Sequence, residues 1–146
     1  MSPEKKDWKP NDSVIEGPPG KARIAEALAK RGIQVANDRV TTSRDPGMDD
    51  VRFDLGRPEM PPGFHSWQLP FTMEGPLFFF ITVADPGAVV PTHEHKRDLF
   101  RMVVSGSLTT NGIELKPGDW MYVPKGVPYS YSAALNPGVI TCHCYG

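Results

Sequence analysis

The chain has 146 residues and carries 16 Lys+Arg against 17 Asp+Glu, a formal net charge of -1. That is the size of one domain, and the balance leaves no basic field to hold nucleic acid or an anionic membrane surface. Sixteen prolines and 14 glycines exclude a long helical bundle and favour short strands joined by tight turns.

Taken in chain order, Met1–Gly20 holds four prolines and mixed charge and reads as an irregular arm, able to lie on a partner subunit. The start, MSPEKKDWKPND, lacks the apolar stretch of a secretory signal. Lys21–Lys30 is rich in Ala, Leu, Glu, Lys and Arg, and Gly32 follows as a stop signal. A short helix is therefore predicted over 21–31, with Ile24, Ala25, Leu28 and Ala29 on its packed face. Ile33–Val40 reads as extended and Thr41–Asp50 as a polar loop around Pro46-Gly47. Near Pro61 the texture changes, setting an N-terminal segment over 1–60 apart from a barrel over 61–146.

In that second part apolar runs alternate with turn signals every eight to twelve residues, the pattern of an all-β sandwich or barrel. Strands are predicted at Phe64–Phe71, Leu77–Ala84, Ala88–His95, Leu99–Ser105, Ser107–Thr110, Ile113–Leu115, Trp120–Val123, Val127–Ser132 and Gly138–Tyr145. Asn111-Gly112 marks a two-residue hairpin. Leu77–Ala84 is nearly all apolar and reads as a central strand, with Phe78, Phe79 and Phe80 as core. It is also the longest apolar run, too short to span a bilayer.

The chain has four histidines. His93-Glu94-His95 falls on a predicted strand, where His93 and His95 share a face and Glu94 points away. Two imidazoles on one face form a bidentate clip for a metal. His65 reads as a capped or exposed histidine. On the last strand, either Thr141, His143 and Tyr145 face inward or Cys142 and Cys144 do, depending on register. His143 is thereby a third candidate ligand. The two cysteines otherwise read as reduced thiols, and the expected location is the cytoplasm.

These residues resemble the cupin superfamily. Gly87, His93, His95 and Gly106 match its first motif, G-x5-H-x-H-x3/4-E-x6-G, and Gly118, Pro124 and Gly126 match its second, G-x5-P-x-G-x2-H. The resemblance implies a double-stranded β-helix, the jelly-roll barrel, over about Phe64 to the C-terminus, and commonly a homodimer. Leu99 stands in the family's glutamate slot and Tyr129 in its second histidine slot. Only His93 and His95 carry over as ligands of a divalent ion (Fe, Zn, Mn or Ni). The expected function is an enzyme of dioxygenase, lyase or isomerase type acting on a small organic molecule inside the barrel, with His95 and Tyr129 as catalytic groups. Two other readings stand beside it: a metal-free epimerase or isomerase with His as base and Tyr129 as acid, and a non-enzymatic small-molecule binder.

Overall fold

The structure is a computed structural model and describes residues 15–146. Most of the expected N-terminal arm, 1–14, lies outside the described residues. The described residues divide into two compact units, one of residues 15–35 with Gly47–Thr72, the other of Ala36–Pro46 with Met73–Gly146.

The first unit is helical. Helix α1 spans Gly17–Lys30 and begins four residues before the predicted start, with Pro at its first positions. Proline there loses only an N–H that has no intrahelical partner, so the Pro18-Pro19 pair opens the helix rather than preceding it. A second helix, α2 at Met48–Asp54, corrects the expectation of a single helix and of a loop over Thr41–Asp50. Asp49 and Asp50 suit its N-terminal dipole, and Met48, Val51 and Leu55 are buried. Asp54 accepts from Lys30 Nζ at 3.1 Å and Arg31 Nε at 2.8 Å, tying the helices together. Phe64–Phe71 is not a strand. It runs back along the end of α2 through Arg57 N–H to Ser66 O (2.8 Å) and Gln68 N–H to Leu55 O (2.9 Å), with a single bridge at Gly56–Trp67.

The second unit is all-β. Strands are β1 Thr41–Thr42, β2 Phe78–Ala84, β3 Val89–His93, β4 Leu99–Gly106, β5 Leu108–Thr110, β6 Ile113–Leu115, β7 Trp120–Val123, β8 Tyr129–Ala133 and β9 Val139–Tyr145. They form a five-stranded sheet, ordered β1-β7-β4-β9-β2, and a four-stranded sheet, ordered β3-β8-β5-β6. All pairings are antiparallel. Leu99 and Val103 of β4, Met121 and Val123 of β7, Leu108 of β5, Tyr129 and Tyr131 of β8 and Val139 of β9 share one core between the sheets. This is the double-stranded β-helix that alternating apolar runs and close-spaced turns foreshadow. Asn111 and Gly112 both take positive φ, 50° and 76°, as a type I′ hairpin requires.

Strand β2 departs from expectation. It is an edge strand rather than a central one, and Phe78, Phe79, Phe80, Ile81 and Val83 are exposed rather than core. Strong β propensity makes the strand, but its place in the sheet follows from register with β9 alone.

Candidate functional site

Strand β3 ends at His93, which lies opposite Tyr129 of β8 after an irregularity between Val90 and His93. His95 therefore sits just past the strand rather than on it. The turn at Pro124–Gly126 fixes this segment. Gly126 N–H donates to His95 O at 2.8 Å, and Lys125 N–H donates to Asp98 Oδ1 at 2.8 Å. Gly126 has φ +78°, a conformation only glycine adopts without cost.

The ring atoms define what the pair can do. His93 Nδ1 lies 2.7 Å from Pro91 O. A carbonyl only accepts, so Nδ1 carries a proton, and in the neutral ring Nε2 is the nitrogen with the bare lone pair. That Nε2 lies 3.1 Å from His95 Nε2, which in turn lies 3.2 Å from Tyr129 Oη. Burial, then His93 and the Arg101 guanidinium, hold His95 below the usual imidazole range, so its ring is neutral at pH 7. Burial pushes the Tyr129 hydroxyl up against an opposing pull from Arg101, so the phenol keeps its proton.

The spacing of the two nitrogens suits two ligand positions on one divalent ion. Two nitrogens each about 2.1 Å from one ion and about 90° apart lie about 3.0 Å from each other. The observed 3.1 Å and the free lone pair of His93 match that span. Among the described residues no group of three His, Cys, Asp or Glu side chains could hold a metal.

His143 is not brought to the pair. Thr141 and His143 meet Arg101 and Tyr145 meets His95, so the inward set is the histidine and not Cys142 with Cys144, although Cys144 is also buried. His143 Nδ1 faces Arg101 Nη1 at 3.4 Å and Thr82 Oγ1 at 3.5 Å, and its ring stacks on Phe80 at 5.2 Å. Burial first, then Arg101 and His95, lower its pKa to about 4. Leu99, in the glutamate slot, is fully buried core. His65 lines a cavity of about 370 Å³ within the helical unit, with Arg52, Phe53 and Trp67.

Sequence reasoning missed Arg101. It is 4% exposed on β4, its Nη1 donates to Thr141 Oγ1 at 2.8 Å, and its guanidinium lies 5.0 Å from the Tyr131 ring centre. A signal existed: Leu99, Arg101 and Val103 share strand parity, so a charge was due on the inner face. Tyr145 was likewise undervalued. Its ring lies 5.0 Å from that of His95 and 5.3 Å from that of His143, joining the two histidine groups.

The fold and the histidine pair together define a double-stranded β-helix with an imidazole clip at one end of β3. The cupin domain family matches residues 80–141, which contain both motifs. The matched segment, residues 80–141, is cupin-like in sequence, and it lies within the double-stranded β-helix. No curated protein sequence matches it. It is similar to an RmlC-like cupin from Shewanella frigidimarina NCIMB 400, at 26% identity over 47% of this chain and 64% of that one, TM-score 0.43. It is similar to KdgF from Halomonas sp., at 28% identity over 47% and 66% of the respective chains, TM-score 0.41. A cupin protein from Bacteroides fragilis aligns over 77% of this chain and 80% of its own, at 23% identity and TM-score 0.42. The matches to the first two span less than two thirds of those chains.

Proposed function

We propose that the protein is an enzyme acting on a small organic molecule in the barrel, with a divalent metal ion held by His93 and His95. The observation that carries this is the pair of Nε2 atoms 3.1 Å apart, one of them left as the lone-pair nitrogen of the neutral tautomer that Pro91 O selects. When bound, the ion supplies Lewis-acid activation, or oxygen chemistry if it is iron, which spans the dioxygenase, lyase and isomerase types. The chain's own groups do the rest. Pro91 O fixes the tautomer and orientation of His93. The Tyr129 hydroxyl, protonated at neutral pH, donates toward a substrate oxygen beside His95. Phe80 and Tyr145 offer apolar ring surface against the carbon body of the substrate.

Elemental mass spectrometry of the purified protein beside His93→Ala tests this. Near-stoichiometric Fe, Zn, Mn or Ni that is lost in the variant is expected. Metal far below stoichiometry, unchanged by the substitution and not restored by adding those ions, would sink the reading. The metal-free alternative, with His95 as base and Tyr129 as acid, is favoured by the 3.2 Å approach of Tyr129 Oη to His95 Nε2. It requires turnover that survives chelation and falls by about 10²–10⁴ in Tyr129→Phe.

The same reading takes the protein as a cytoplasmic homodimer. Free Cys142 and Cys144 suit a reducing compartment, and no helix among the described residues is long and apolar enough to cross a membrane. The β2 edge, with Phe79, Ile81 and Val83 exposed on its outer face, suits pairing with a second copy of itself across a two-fold axis.

A further inference from the structure

We propose that the barrel takes a small organic carboxylate, and that Arg101 is the residue that binds its charge. This rests on the reading that the barrel interior is the small-molecule site, and it names the ligand class that reading leaves open.

Arg101 lies on β4, the middle strand of its sheet, and points into the barrel with 4% of its surface exposed. Of its donors, Nη1 bonds to Thr141 Oγ1 at 2.8 Å and approaches His143 Nδ1 at 3.4 Å, while Nε is buried with no partner. No carboxylate pairs with it among the described residues. The four ion pairs there all lie between residues 30 and 54 of the helical unit. A guanidinium taken out of water without a counter-charge is strongly destabilising, which a Met or Leu of similar volume would avoid. An unpaired buried donor of this kind needs an explanation, and an anionic ligand supplies one.

The surroundings complete an anion site. An arginine N–H only donates, so the His143 nitrogen facing it accepts, and the other nitrogen of that ring carries a proton. The hydroxyls of Tyr129, Tyr131 and Tyr145 add neutral donors on the same inner faces, and the Arg101 charge acts on two of them, Tyr129 and Tyr145, and on His95. Among the described residues the side chains in contact with Arg101 include Thr141, His143 and Tyr131, with no lysine or second arginine among them. One guanidinium balances one negative charge and offers a planar fork, which favours a monoanionic carboxylate over a phosphate dianion. A carboxylate seated there directs its carbon body along Phe80 and Tyr145 toward His95 and Tyr129.

The test is an NMR titration of the full-length protein, as purified and after chelator treatment, with propionate, propionamide and inorganic phosphate as probes. Propionate should saturate in both preparations and move the Arg101 Nε–H resonance, and propionamide should not. In Arg101→Met the propionate affinity should drop by about tenfold or more, the loss of a charge-assisted bond. The Nε–H readout needs no variant, so it stands even if Arg101→Met fails to fold. Equal response to propionate and propionamide, or no saturation by propionate up to tens of millimolar, would overturn the proposal. Tighter binding of phosphate than of propionate would overturn the carboxylate assignment. Because the chelated protein carries no metal, these outcomes are independent of whether His93 and His95 hold one.

Discussion

His143 and Arg101 occupy directly paired positions on β9 and β4, and burial, with that pairing second, sets the protonation of the histidine. Burial and the Arg101 charge depress the His143 pKa to about 4, against an ordinary value of 6.5. A base whose folded pKa is depressed is protonated first in the unfolded chain, so the unfolded state binds more protons between those two values. Stability is therefore full above about pH 6.5 and is lost as pH falls toward about 4. Thermal melts across that window should show a falling Tm in the native protein and a shallower fall in His143→Gln. Leu99 supplies a second residue-level expectation. In the position where the family carries a ligand it is fully buried and packs between β7 and β9. Leu99→Ala should cost about 2–5 kcal/mol by denaturant unfolding, as a core truncation does, with metal content unchanged.

The turns impose their own constraints, and they differ in kind. Gly112 needs positive φ for its hairpin but has open space where a Cβ would stand. Gly112→Ala should cost only about 1–2 kcal/mol, the left-handed penalty alone. Gly106 also has positive φ, yet a Cβ there would meet the backbone of Gly138. Gly106→Ala should destabilise clearly more than Gly112→Ala in the same unfolding experiment, because a backbone cannot move aside as a flexible side chain can. Helix α2 illustrates the opposite case, in which an element is stabilised from outside itself. Its seven residues are too few to be helical alone, and burial of Met48 and Val51 with the Lys30 and Arg31 contacts to Asp54 holds it.

Across the whole molecule, the helical unit and the β unit each have their own buried residues, and the chain passes between them more than once. The five-stranded sheet leaves β2 as an edge whose outer face is apolar. Sedimentation equilibrium should give a dimer for the native protein and a monomer for Ile81→Lys, since a charge on an exposed edge blocks strand pairing without touching the core. A native monomer would remove the homodimer from the reading while leaving the barrel site as it stands.

Much of the barrel is legible along the chain. Alternation of apolar residues places β4 through β9 within a few residues, Asn111-Gly112 marks its hairpin, and His93-x-His95 marks the clip, since each depends on residues close in sequence. Other features depend on what lies across the barrel. Parity puts Arg101 on an inner face, but only the register of β4 against β9 sets it beside Thr141 and His143 and leaves it without a carboxylate. The run Phe78–Ala84 reads as a buried strand, and only the strand order makes it an edge. The sequence by itself determined the all-β class, the turns and the two neighbouring histidines, because local backbone preference and side-chain period encode them. The tertiary structure alone decided which side chains meet those histidines, because cross-strand register and sheet order arise from packing between residues far apart in the chain.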